Sequence, residues 1–189
     1  NCVRYTIDGN SIVFPSATFG VVMNKTNRSQ HYYMGHSEAV SALALTTDGQ
    51  IAATGTLGYE ASVGVCRCKN GEPLVQLEEK VRGQVLALAF SPDGSKLAVV
   101  GGDPDHTISL WDWQHSVLLS RGYGGSDPIF HCCFAPIVKD SPQLLVASMK
   151  DLKVCQSHRL FLSVCRYLVT FHFPFFYHLN DEWPVTWRR

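Results

Sequence analysis

Apolar and polar positions alternate most clearly over Leu86–Trp113, LALAFSPDGSKLAVVGGDPDHTISLWDW. Three short apolar runs are separated there by Ser91-Pro92-Asp93-Gly94 and by Gly101-Gly102-Asp103-Pro104-Asp105. Runs of this length between Pro, Asp and Gly clusters predict antiparallel strands joined by tight turns. Shifting the stretch back by 45 residues lays it on an earlier copy. Val85 then falls on Val40, Leu88 on Leu43, Ala89 on Ala44, Asp93-Gly94 on Asp48-Gly49, and Trp111 on Cys66. A forward shift of 44 brings Phe90 onto Phe134 and Pro92 onto Pro136. A period in this range means stacked β units.

The first full unit predicts strands over Val40–Leu45, Ile51–Thr54, Ser62–Arg67 and Pro73–Leu77. The second predicts Val85–Phe90, Lys96–Val100, Thr107–Trp111 and Ser116–Ser120. A third follows with Ile129–Phe134, Leu144–Met149 and Lys153–Gln156, and Ser11–Phe14, Phe19–Asn24 and Gln30–Met34 precede them all. Asn24-Lys25-Thr26 and Asn27-Arg28-Ser29 match the glycosylation sequon but read as a polar hairpin turn.

Gly35-His36 near one end of a unit and Trp111-Asp112 near the end of another give the chain a resemblance to WD40 β-propellers. The implied fold is all-β: a partial WD40 propeller of about two complete four-stranded blades plus partial ones, not expected to close by itself. In that family a buried network links the His after Gly, a Ser or Thr on the second strand, a turn Asp and the Trp. The resemblance assigns Gly35, His36, Asp105, Trp111 and Asp112 to it, split between two blades. Blade contacts should therefore rest more on apolar packing than on hydrogen bonds. In finer detail, QHYYMGHSEAVSALAL with Ala53-Thr54-Gly55, together with Asp105-His106-Thr107 and Trp111-Asp112-Trp113, resembles the echinoderm microtubule-associated protein-like family. That resemblance covers roughly residues 10 to 148 and is shared in part by WD40 chains of centrioles and axonemes. The family's upstream hydrophobic motif is not identifiable here.

Composition narrows the classes little. Lys+Arg and Asp+Glu balance at 16 each, so the chain carries no overall electrostatic footprint for nucleic acid or anionic membrane. Seven cysteines, none in a CxxC pair, read as buried thiols in a reducing compartment, with no metal centre. The chain shows no basic-then-apolar leader, which fits a cytoplasmic setting.

Residues 1–156 are thus expected to form the propeller part and 157–189 an atypical aromatic-rich tail. Within the tail, Phe161–Leu179 is a nearly continuous apolar run, but Arg166, His172, Pro174 and His178 oppose a lipid-facing helix. Strands over Leu160–Tyr167 and Val169–Phe173, membrane contact, and sequence foreign to the propeller all remain open.

No catalytic or cofactor constellation stands out. Asp105-His106 reads as a polar turn. In His131-Cys132-Cys133, strand alternation places His131 and Cys133 on one face and Cys132 on the other. Gly122–Gly125 is Gly-rich but opens a strand, where a phosphate loop would open a helix. Tyr32-Tyr33, Tyr59-Glu60 and Tyr123 lie at or near loops, as either binding or packing residues. The resemblance implies a non-enzymatic interaction scaffold with protein partners, among them tubulin or microtubules. It also implies a cytoskeletal, ciliary or centriolar setting and further blades of a longer chain. The alternative is a WD40 adaptor of a ubiquitin ligase or signalling complex. A propeller-borne hydrolase would need a polar cluster that the sequence does not display.

Overall fold

The computed structural model describes residues 3–136, 143–150, 152–158 and 161–167. Every regular element among them is a strand. The first sheet is β1 (Arg4–Tyr5), β2 (Ser11–Ser16), β3 (Phe19–Asn24) and β4 (Gln30–Tyr33). The second is β5 (Val40–Leu45), β6 (Ile51–Thr56), β7 (Glu60–Arg67) and β8 (Pro73–Arg82). The third is β9 (Val85–Phe90), β10 (Lys96–Gly101), β11 (Ile108–Asp112) and β12 (Val117–Gly122). The fourth is β13 (Ile129–Phe134), β14 (Gln143–Ser148), β15 (Leu152–His158) and β16 (Phe161–Tyr167). Each is an antiparallel meander in sequence order.

The expected strands are all present except Val169–Phe173, which lies outside the described residues, as does 168–189 as a whole. Two-residue β1 had no counterpart in the sequence reading, and β16 completes the last sheet. Position 157, where the tail was expected to begin, falls within β15. Among the described residues the four sheets form an open arc, a partial WD40 propeller, and no helix is long and apolar enough to cross a membrane.

Alternation along each strand builds the interfaces between sheets. Leu43, Ala52, Cys66 and Cys68 pack with Val13, Val22 and Tyr33 of the first sheet. The intervening residues Ala42, Ala44, Ala53, Val63 and Val65 pack against Leu88, Phe90, Leu97, Val99 and Trp111 of the third. The pattern then repeats one sheet on, with Ala87, Ala89 and Ala98 against Ile129, Cys132, Leu144 and Val146. Small residues on one side of an inner strand meet larger ones from the next sheet, a size match that lets wedge-shaped layers interdigitate.

A β-bulge recurs at one place in three inner strands. The register slips past Ser41 between Val40 and Ala42, past Leu86 between Val85 and Ala87, and past Phe130 between Ile129 and His131. At the first of these Ser41 Oγ donates to the Val85 carbonyl across 2.7 Å and to that of Gly55 across 3.2 Å. One hydroxyl thus ties the second sheet to the third.

Candidate interaction surface

The link from β4 to β5 carries Gly35 and His36 into the second sheet. His36 Nε2 lies 2.7 Å from Thr54 Oγ1 on β6, and Nδ1 lies 3.1 Å from Ser62 Oγ on β7. Thr54 Oγ1 donates to the Gly64 carbonyl at 3.4 Å, so it accepts from Nε2–H and leaves Nδ1 to accept from Ser62. Burial pushes the pKa of His36 below its ordinary value, which suits this neutral tautomer. The His36 ring meets Tyr33 edge-on with centroids 5.2 Å apart. The Tyr33 ring fills the space over Gly35 and Gly64, where a Cβ would collide with its phenol end. Tyr33 is therefore a core residue, and burial raises its phenol to about 12. Of the candidate pair only Tyr32 is exposed, and it donates to Gln30 Oε1 at 2.5 Å.

The third sheet holds the other half of the motif without that network. Trp111 is buried, and its Nε1 has no hydrogen-bond partner among the described residues. Thr54 faces Leu43 and Gly64 in its sheet, and Val99 faces Leu88 and Ser109 in the next. Val99 therefore stands where the second sheet has its hydroxyl. The neighbouring indole is better held: Trp113 Nε1 donates to the Gly94 carbonyl at 2.8 Å, and its ring packs edge-on to Phe90. Asp112 turns outward and binds His115 Nδ1 at 2.9 Å. In the β10–β11 turn Asp103 carries the carboxylate contacts, accepting from Thr107 N at 2.7 Å and from Thr107 Oγ1. Asp105 contributes its carbonyl to Gly124 N and Gly125 N. His106 Nδ1 lies 2.9 Å from the Gly125 carbonyl, and buried Lys153 Nζ donates to that of Gly124. The Gly-rich loop is thus pinned from both sides as a connector into β13.

A side-chain turn recurs between the first two strands of three sheets. Thr46 Oγ1 donates to Asp48 Oδ1 at 2.6 Å, and that oxygen also accepts from Gln50 N. Ser91 Oγ donates to Asp93 Oδ1 at 2.5 Å, with Ser95 N on the same oxygen. Thr6 Oγ1 donates to Asp8 Oδ1 at 2.6 Å, with Asn10 N alongside. Gly9, Gly49 and Gly94 close the turns at φ of 64°, 67° and 71°, the left-handed region that favours glycine. These contacts hold the three carboxyls below the ordinary carboxylate range, Asp93 at about 2. The sequence reading passed over the first copy; its signal was the spacing Thr6-x-Asp8-Gly9.

Among the described residues the titratable groups supply no evident chemistry. Among the described residues no cluster of three or more His, Cys, Asp or Glu could hold a metal ion. Cys66, Cys68 and Cys132 are buried free thiols, Cys155 is buried, and Cys133 is exposed. Burial pushes Cys66 and Cys68 up to about 12, far from a reactive thiolate. His131 and Cys133 are exposed while Cys132 is buried, as strand alternation requires.

What the sheets do present is surface. Connections β4–β5, β6–β7, β12–β13 and β14–β15 emerge at the same end of the sheets and expose Met34, Leu57, Tyr59, Tyr123 and Met149. Tyr59 is 77% and Met34 72% accessible, large values for side chains of this chemistry. At the opposite end, between the first and second sheets, a cavity of about 300 Å³ is lined in part by Asp8, Asp48, His31, Cys68 and Lys69.

Comparison with known proteins places this geometry. The WD domain, G-beta repeat family matches residues 27–63 and 71–112. The chain is 28% identical over 145 residues to the 77 kDa echinoderm microtubule-associated protein of Lytechinus variegatus, covering 72% of this chain and 22% of that protein. It is 33% identical over 109 residues to cilia- and flagella-associated protein 52 of Chlamydomonas reinhardtii, covering 56% and 18% respectively. With centriole proteome protein 16 of the same alga the identity is 29%, covering 67% and 9%. The chain thus spans about a fifth of the length of the microtubule-associated relatives it matches. Repeat period, sheet architecture and family match agree that residues 27–63 and 71–112 are WD40 repeats.

Proposed function

We propose that this chain is a non-enzymatic interaction scaffold of microtubule-based structures, recognising a protein partner through the loop end that carries Met34, Tyr59 and Tyr123. The supporting observation is that three kinds of relative, named for microtubules, for cilia and flagella, and for centrioles, match this chain. A rigid stack of sheets that exposes aromatic and Met side chains on its connections supplies anchors of the kind that dominate protein interfaces. Tubulin in polymerised form is the partner this reading names, in a cytoskeletal setting. Co-sedimentation with microtubules tests it: the protein should enter the pellet at micromolar concentration, and persistent recovery in the supernatant overturns the reading.

A further inference from the structure

Among the described residues the arc leaves one side of the first sheet and one side of the fourth without a covering sheet. In the first sheet Val13, Val22 and Tyr33 pack against the second. Alternation and register send Tyr5, Ile12, Phe14, Phe19, Met23 and Tyr32 to the opposite side. Tyr5 is 65%, Tyr32 48% and Phe19 38% accessible, and the last two rings meet edge-on with centroids 6.3 Å apart. In the fourth sheet Ile129, Cys132, Leu144 and Val146 pack against the third, so His131, Cys133, Leu145, Ala147 and Val154 face away from it. His131 and Cys133 are exposed there, and Leu145, Ala147 and Val154 are half-buried. Neither set contains an Asp, Glu, Lys or Arg. Continuous uncharged surface of this kind marks a protein contact.

We propose that two copies of this chain pack through these faces, the first sheet of each laid on the fourth sheet of the other, so that two arcs of four sheets close into one ring. The interfaces within the chain supply the first argument. Three times over, a sheet offers one side to its successor, which turns its own opposite side back onto it. The free side of the first sheet is the side on which the third carries Leu88 and Phe90, turned back onto the second. The free side of the fourth is the side on which the second carries Ala42 and Ala44, which receive them. A first sheet laid on a fourth therefore continues the series, whereas a first sheet on another first sheet would oppose two back-turned sides. Side-chain size supplies the second argument. Phe14, Phe19 and Tyr32 are large and Cys133 and Ala147 small, the same match as Leu88 and Phe90 on Ala42 and Ala44. The number of sheets supplies the third. Propellers close with about four to eight sheets, and a two-fold ring of these arcs leaves neither face unmatched.

Cys133 reports directly on the contact. Sedimentation velocity of the full chain at micromolar concentration should give twice the mass of one chain. Pulse alkylation with a maleimide, read by peptide mass spectrometry, should label Cys133 more slowly as the chain is concentrated. A single-chain mass at every concentration overturns the proposal, as does mass that grows past two copies. Slow Cys133 labelling that ignores concentration also overturns it, because the cover would then come from the same chain. The double variant Phe19→Asp/Tyr32→Asp should weaken dimerisation roughly tenfold or more while buried Cys132 stays protected. Unchanged dimerisation overturns the proposal. If this variant exposes Cys132 as well, crosslinking decides. The chain Tyr32→Cys/Cys133→Ser, mixed with the unaltered chain and a short bis-maleimide, should join position 32 of one copy to Cys133 of the other. Joining of position 32 to its own counterpart, or to neither, overturns the proposal.

Discussion

Thr54 Oγ1 lies 2.7 Å from His36 Nε2, and this contact, with that of Nδ1 to Ser62 Oγ at 3.1 Å, fastens the segment entering the second sheet to its two middle strands, β6 and β7. Replacing His36 by Ala leaves the buried Thr54 hydroxyl without that partner and opens space under Tyr33. Loss of such a bond with its desolvated partner costs about 1–3 kcal/mol. Urea denaturation should show His36→Ala and Thr54→Val destabilised within this range, and the double variant losing less than the sum.

The same histidine makes stability depend on pH. Its folded pKa is depressed below the ordinary 6.5 by burial, so the unfolded chain binds a proton more readily than the folded one. The contribution is present above pH 6.5 and is lost as pH falls through the folded value. The urea midpoint should therefore decline on acidification below 6.5, and His36→Gln should flatten that part of the profile.

The two tryptophans of Trp111-Asp112-Trp113 should respond differently to removal of the indole N–H. Trp113 Nε1 donates to Gly94 O, whereas Trp111 Nε1 has no partner among the described residues. Trp113→Phe is expected to cost about 1 kcal/mol more than Trp111→Phe, the net worth of a typical hydrogen bond. Val99→Thr offers Trp111 the hydroxyl that Thr54 supplies one sheet earlier, and it should cost less than Val100→Thr, which faces the opposite, apolar side of β10 away from Trp111. Thermal melts of the four variants check the order.

Gly64→Ala should be destabilising because the added methyl meets the Tyr33 phenol. Overpacking of a closed core costs about 1–3 kcal/mol. Tyr33→Leu costs stability alone by vacating the core, but combined with Gly64→Ala it should recover part of the loss. Denaturation midpoints for the two single variants and the double give the coupling directly.

Much of this architecture is visible in the chain before any coordinates. Leu43, Leu88 and Cys132 sit one period apart and face the same way, because strand alternation is a local property that each repeat writes out again. Partners within a network are less legible. Gly102-Asp103-Pro104-Asp105 offers two carboxylates, and the choice of Asp103 depends on how the turn places Thr107. Tyr33 follows exposed Tyr32, and only the absence of side chains at Gly35 and Gly64, distant from one another in sequence, makes room for it inside. The first copy of the Thr-x-Asp-Gly turn was readable at Thr6–Gly9, but it precedes a strand of ordinary length and follows one of only two residues.

On the proposed function, the exposed loop end carrying Met34, Tyr59 and Tyr123 binds polymerised tubulin. The direct measurement is microtubule co-sedimentation of the wild-type protein beside the triple variant Met34→Asp/Tyr59→Asp/Tyr123→Asp, with melting temperatures of both recorded. The wild type should pellet with microtubules, and the variant should stay in the supernatant with its melting temperature unchanged. Equal pelleting of the two proteins, or none by the wild type, would contradict it.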